Sequence, residues 1–254
     1  MGEGTRHGPA VEPPNLALSP GRRVGRRPGP PLVARPARAS ASSLVENELR
    51  QAIIAMRLKP GEALNEKEIA ARFGLSRTPV REAMLRLKDD ELIEIFPQSG
   101  TFVARIPIGK IPEAVVIRQA LEAMAAEQAA RRRDETMFRR LREIIGEQER
   151  AAREADPGRF HEADEAFHAL ISDAAGFPGI WRMAQTVKAQ VDRCRRLTLP
   201  VPGRMARVIL EHQRILGAIM DGDEAGARQA LTRHLETVLP DLDELRRENP
   251  DYFV

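Results

Sequence analysis

Cysteine is nearly missing from this 254-residue chain, and Cys194 stands alone. No disulfide can form within the chain, and a reducing compartment suits it. Long apolar runs are missing too. None approaches the roughly 18 residues a bilayer span requires, which excludes a membrane-spanning helix. The first residues have no apolar stretch of the kind a secretory signal needs, so a cytoplasmic location is expected. Aromatic residues make up 4% of the chain, and with them scarce while Ala, Leu and Ile are abundant, the composition is that of an α-helical bundle. Lysine is scarce at five residues against 35 arginines. That bias follows genome base composition as readily as function, so no role is assigned to it.

Charge is unevenly distributed. Residues 1–42 hold seven arginines against Glu3 and Glu12, a surplus of five positive charges in a chain whose net charge is +3. The remainder is therefore slightly acidic. If it meets nucleic acid, it does so through a local patch. Residues 1–42 are rich in Pro, Gly, Arg and Ala and lack apolar periodicity, so they are expected to form a disordered basic tail.

From Ser43 the pattern becomes helical. Leu44, Leu49, Ile53 and Met56 recur on one face until Pro60-Gly61. Asn65 with Glu68 three residues later makes a capping box. Ile69, Ala70 and Phe73 give the next helix its apolar face, and Gly74 ends it as a left-handed cap. Ser76 then caps a third helix whose buried stripe is Val80, Ala83, Met84 and Leu87. Its side chain is expected to accept a free backbone N–H. Pro79 sits in the first turn, where a missing N–H costs nothing. Two β-like stretches, 92–96 and 101–105, follow around the turn Pro97-Gln98-Ser99-Gly100. Three helices and a hairpin in this order predict a winged helix-turn-helix over 43–108.

Arg77, Thr78 and Arg81 point away from the stripe at the helix start. Exposed N–H groups and two guanidinium groups favour phosphate and the O6/N7 edge of guanine. A solvated face with Glu82 as local acidic partner is the plain alternative. Lys67 is placed to reach the DNA backbone, and Gln98, Ser99 and Gly100 form a wing tip suited to phosphate or the minor groove.

Beyond Pro107 the chain reads as helices only, about six of them, over 110–132, 134–154, 158–174, 178–199, 203–221 and 223–247. The expected fold is therefore mainly α, a winged helix-turn-helix followed by an all-α bundle over 109–248. On the third of these helices Phe160, Ala163, Asp164, Phe167, His168 and Ile171 share a face. Asp164 and His168, four apart, project together. His212 lies in the stripe Val208, Ile209, Ile215, Leu216, Ile219, and His234 in the stripe Leu231, Leu235, Val238. One buried Asp and three His converging from three helices suit a divalent transition metal. Satisfied core histidines are the alternative. His161 is read as an outer neighbour of this group or as solvent-exposed.

Two sets of residues carry a family resemblance. "LKPGEALNEKEIAARFGLSRTPVREAMLRL" followed by "SGTFVARI" resembles the DNA-binding domain of GntR-type bacterial regulators. "VVIRQALEAMAAEQAA", "FHEADEAFHALISDAAG" and "EHQRILGAIMDGDEAGARQALTRHL" resemble the FCD effector domain of the FadR subfamily. A bundle of about six helices points to its VanR-like branch. The resemblance implies Asp164, His168, His212 and His234 as ligands of zinc, nickel or a similar ion such as manganese. It also implies a small organic acid effector beside the ion, with Arg118 lining the pocket. Glu91 departs from the family, which usually has glycine ending the recognition helix, and Ser99 stands where the wing is often basic. The closing "NPDYF" also occurs in family members, and the sequence offers no physical reason for it.

The expected function is a DNA-binding transcriptional regulator, a repressor by the commoner family mode. As a homodimer it would bind a palindromic operator in double-stranded DNA, modulated by a carboxylate beside the metal. A metal-sensing repressor is one alternative. A metalloenzyme with an accessory DNA-binding domain is another, although no HExxH is present and "HEADE" at 161–165 lacks the second His.

Overall fold

The computed structural model describes Met1, residues 40–237 and residues 242–254. The expected basic tail at 1–42 falls almost wholly outside the described residues, as does Val238.

The first helix, α1 (Ala41–Ile54), buries Val45, Leu49, Ala52 and Ile53. Leu44 points outward, so the apolar face is rotated from the expected one by about a residue. Asn65 caps α2 as read, with its side chain, not its backbone N–H, meeting Glu68. Asn65 Oδ1 accepts from the N–H groups of Lys67 and Glu68, and its amide donates to Glu68 Oε1 at 2.9 Å. Helix α2 (Glu66–Phe73) then ends at Gly74, whose φ of 64° is the left-handed cap that glycine adopts without steric cost. Helix α3 (Arg77–Asp89) follows, burying Val80, Ala83, Met84 and Leu87. Ser76 occupies its N-cap position in extended backbone, but its hydroxyl makes no capping hydrogen bond, contrary to expectation.

The wing is a three-stranded antiparallel sheet. Strands β2 (Ile93–Phe96) and β3 (Gly100–Val103) form the expected hairpin. The two-residue β1 (Ala63–Leu64) pairs on the other edge of β3, giving the order β1-β3-β2. Two residues carry no periodicity, so this strand had no local signal.

At the end of α3, Glu91 has φ 56°, the conformation for which glycine is favoured. Its carboxylate meets Lys110 Nζ on the surface, an exposed pair worth little. Glu91→Gly is therefore expected to raise stability slightly, by up to about 1 kcal/mol. Chemical denaturation would test this, and a marked loss would mean that the Lys110 contact outweighs the backbone relief.

The second half is a bundle. Its helices are α4 (Ile111–Arg132), α5 (Glu135–Arg153), α6 (Pro157–Ala174), α7 (Gly179–Val187), α8 (Ala189–Thr198), α9 (Arg204–Asp221), α10 (Glu224–Thr237) and α11 (Leu242–Glu248). The expected count of about six is corrected to eight among the described residues. The span read as 178–199 is two helices meeting at Lys188, where no Pro or Gly marks the break. The span read as 223–247 is α10 and α11, with 238–241 outside the described residues. Helix number therefore does not select between the branches of the resembled subfamily. Asp134 and Asp156 cap α5 and α6 through their side chains. Helix α4 packs against α6, α7, α9 and α10, and α5 against α6 and α9. The core between them is built from Phe138, Leu141, Phe160, Phe167, Ile171, Ile215 and Ile219.

The closing "NPDYF" acquires a physical account. Ile106 N–H donates to Tyr252 O, Val254 N–H to Ile106 O, and Ile108 N–H to Val254 O. The C-terminal residues thus run as a short parallel partner of the segment joining the two halves. Phe253 is buried with Ile106, Ile111, Val191, Cys194 and Leu245.

Candidate metal centre and nucleic-acid interface

Helix α6 projects Asp164 and His168 inward, one turn apart. Helix α9 adds His212 and α10 adds His234. All four are at most 1% exposed, and one ligand-type atom of each lies within 4.8 Å of the others. The separations are specific. His234 Nε2 is 3.2 Å from His168 Nε2 and 3.4 Å from His212 Nε2. Asp164 Oδ1 is 3.6 Å from His212 Nε2, and Asp164 Oδ2 is 3.9 Å from His168 Nε2. Two nitrogens bound tetrahedrally to one ion at about 2.0–2.1 Å stand roughly 3.3 Å apart.

The outer nitrogens explain why the inner ones converge. His212 Nδ1 is 2.9 Å from Gln148 Oε1. His234 Nδ1 is 2.8 Å from Glu211 Oε2, and His168 Nδ1 is 2.7 Å from Glu122 Oε2. Each ring thus faces an acceptor on its outer side. For His212 and His234 that arrangement suits a proton on Nδ1 and an Nε2 lone pair facing the centre, as partners behind metal-bound histidines do, while the His168–Glu122 approach has ion-pair distance without hydrogen-bond geometry. Burial, with the neighbouring His234, holds His212 well below the ordinary imidazole value. Burial likewise lowers His234 to about 4, against the opposing pull of Glu211. Both rings are therefore neutral ligands at neutral pH. Asp164 is fully buried, and against that burial Arg195 and the histidines hold its carboxyl far below the usual range. Three imidazoles and a carboxylate facing one another in a sealed core, with Arg195 against the carboxylate, form a donor set that fits a divalent metal.

All four sequence-predicted ligands are brought together. Sequence reading missed the residues around them. Arg195 on α8 is 2% exposed and places Nη2 at 2.5 Å from Asp164 Oδ1. Glu122, Gln148 and Glu211 orient the rings. None had a signal, because each lies on a different helix from the ring it orients. Arg118 is 1% exposed rather than a surface arginine, with Nε donating to Glu122 Oε1 at 2.7 Å. Arg118 Nη2 and Arg195 Nη1 have no hydrogen-bond partner among the described residues. Buried guanidinium donors left unpaired are costly, and an anion would satisfy them. His161 is buried, not solvent-exposed, and belongs to a different cluster.

At the other end of the chain Ser76, Arg77, Thr78 and Arg81 form an exposed row at the start of α3, with Lys67 exposed on α2. The acidic neighbour of the arginines is Glu66, not Glu82. Arg77 Nη2 donates to Glu66 Oε2 at 2.8 Å, and Arg81 Nη2 donates to the same oxygen at 3.1 Å. One carboxylate at the N-terminus of α2 thus fans both guanidinium groups across the same face. At the wing tip Gln98 (φ 67°) and Gly100 (φ 119°) make the turn with Ser99, all exposed.

Helix α8 joins the two regions. Arg195 touches the buried centre. Gln190 Nε2 donates to Glu91 O at the end of α3 at 3.1 Å. Arg193 Nη2 donates to Ala104 O, just past β3, at 2.6 Å, while its Nη1 donates to Gln190 Oε1. No described helix is long and apolar enough to cross a membrane.

Comparison with known proteins agrees with this arrangement. Residues 41–103 match the family described as bacterial regulatory proteins, gntR family, and residues 113–237 match the FCD domain. An uncharacterized HTH-type transcriptional regulator in an unstable DNA locus of Streptomyces ambofaciens is 34% identical over 206 residues, covering 81% of this chain and 86% of that protein. The HTH-type transcriptional repressor RspR of Escherichia coli strain K12 is 32% identical over 205 residues, covering 81% of this chain and 90% of its own. Among solved structures, E. coli McbR/YncC superposes with a TM-score of 0.69 at 24% identity, covering 82% of this chain and 98% of that one.

Proposed function

The chain belongs to the GntR family of bacterial transcriptional regulators and carries an FCD domain, so it is a regulator rather than an enzyme, and from that premise we propose that it is an effector-released repressor. In this reading a homodimer sets two α3 helices into successive major grooves of a palindromic operator, about 34 Å apart. Arg77 reads a base edge, Arg81 and Lys67 hold phosphate, and Ser76, Thr78, Gln98, Ser99 and Gly100 complete the contact. RspR is named a repressor, which supports the sign. The protein would act on DNA in the cytoplasm.

Asp164, His168, His212 and His234 would hold a divalent metal, with zinc favoured by the three-nitrogen, one-oxygen set and nickel or manganese as alternatives. The ion would supply a Lewis-acidic anchor for a small carboxylate. The unpaired N–H groups of Arg118 and Arg195 would bind the effector's oxygens bidentately. The observation that carries the regulatory reading is α8, which bears Arg195 on Asp164 and Gln190 and Arg193 on the winged helix. An anion that draws Arg195 off Asp164 shifts the helix that also holds Glu91 and Ala104. The effector thereby changes the population of the DNA-competent arrangement.

Fluorescence anisotropy of DNA from upstream of the protein's own gene tests this. A panel of small carboxylates and sugar acids is titrated against metal-loaded and chelated protein. One acid is expected to release the operator from loaded protein only. Release on chelation alone would favour a metal sensor, and no DNA binding in any state would overturn the proposal.

A further inference from the structure

Helix α6 feeds two clusters, not one. Asp164 and His168 face the buried centre. His161 and Glu165, also four residues apart, face Asp192 on α8, and one ligand-type atom of each of these three lies within 4.8 Å of the others. His161 is 5% and Asp192 2% exposed. Lys188 lies among them. Its ammonium donates to Glu165 Oε2 at 2.7 Å and to Asp192 Oδ2.

That lysine leaves the cluster short of donors. Two carboxylates share this one ammonium, and Arg118, Arg195 and Arg196 act on them electrostatically from nearby. Glu165 Oε1, Asp192 Oδ1 and His161 Nδ1 are buried atoms with no hydrogen-bond partner among the described residues. Two are acceptors outright, and the third accepts when its ring carries the proton on Nε2. Buried acceptors without donors are costly enough that structures seldom leave three together. The cluster opens onto a cavity of about 670 Å³ whose opposite wall is α1 of the winged helix, through Asn47 and Arg50. His161, Glu165, Lys188 and Asp192 all line that cavity, so a shift of the Lys188 side chain would open these atoms to a small solute.

We propose that His161, Glu165 and Asp192 form a second divalent-cation site at the seam between the winged helix and the helical bundle. One imidazole and two carboxylates with open positions suit a borderline transition ion such as zinc or manganese. Lys188 holds one oxygen of each carboxylate in the ion's absence and swings into the cavity when the ion takes both. The ion would tie α6 to α8 two residues from Gln190, and so act on the contact with the recognition helix independently of the buried centre.

The test counts ions. Full-length protein is stripped with chelator, dialysed against zinc or manganese, and assayed for metal per chain, with affinities from calorimetry. Wild type is expected to hold two ions. His161→Gln and Asp192→Asn are each expected to hold one, with unchanged affinity at the remaining site. His212→Ala is expected to lose the other ion and keep this one, which separates this proposal from the reading of the buried centre. Lys188→Met removes the competing ammonium and is expected to tighten the second ion at least tenfold. It also serves if the other variants fold poorly. A single ion in wild type and in Lys188→Met would overturn the proposal, as would two ions retained in both His161→Gln and Asp192→Asn.

Discussion

Arg77→Ala weakens operator binding by roughly 5- to 150-fold, the equivalent of the 1–3 kcal/mol that a bidentate guanine contact contributes, while binding to unrelated duplex hardly changes. The expectation rests on where the side chain sits. It leaves the first turn of α3, is largely exposed, and among the described residues pairs with Glu66 on the neighbouring helix. A carboxylate shared between two arginines keeps both guanidinium groups spread across one face before DNA arrives. Anisotropy titrations at several salt concentrations separate the roles. A base contact costs specific affinity and leaves the salt slope nearly unchanged. A phosphate contact costs both kinds of binding equally and lowers the slope by about one. Equal loss would therefore remove Arg77 from the base-reading role and leave it positioning the helix.

The second large effect concerns the buried centre. With zinc at about a hundredfold over its dissociation constant, ligation stabilises the native state by about 2.7 kcal/mol. For a chain of this size that is a rise in melting temperature of roughly 5–11 °C. His212→Ala should lose the part of the rise that this centre supplies, leaving no more than a second ion elsewhere would give, while the metal-free variant still binds operator. The variant also loses the stacking of His212 on Phe167, whose rings are 4.0 Å apart, so it starts from a lower melting temperature. The metal-induced shift is the quantity to read. Acid adds a signed check. His234 is lowered to about 4 in the fold against 6.5 for a free imidazole. Between these values the unfolded chain binds more protons, so stability falls as pH drops from about 6.5 towards 4. Full metal occupancy in His212→Ala would refute the ligand assignment.

Local chemistry made much of this legible in the sequence. Asn65 and Gly74 act within a few residues of themselves, and each takes the cap position its residue type favours. The convergence of Asp164, His168, His212 and His234 was legible because helical periodicity places a polar residue on an apolar stripe, and burial then demands a partner. What stayed hidden depends on residues distant in sequence. Arg195 meets Asp164 across two helices, Glu122 stands behind His168, and Glu66 rather than Glu82 pairs with the arginines. The break at Lys188 has no glycine or proline to announce it, and the lysine's inward ion pairs with Glu165 and Asp192 come from residues the local sequence does not reveal. Ser76 shows the limit of even local inference, since the right residue at the N-cap left its hydroxyl free.

The pairing of residues 252–254 with the segment at 106–108 also bears on how the protein is made. A ribosome releases the winged helix first, with a compact core of its own around Val80, Leu87 and Leu92. That domain can fold while the bundle is still being synthesised. The strand that fastens its outgoing segment, and the Phe253 side chain that fills the space beside Ile106 and Val191, come only after the whole bundle. The hydrogen bonds from α8 to Glu91 and Ala104 can form before these last residues emerge, so the terminal segment is the last fastening added to the joint between the two halves, and a chain stopped just short of it would keep every earlier contact and lack only that one.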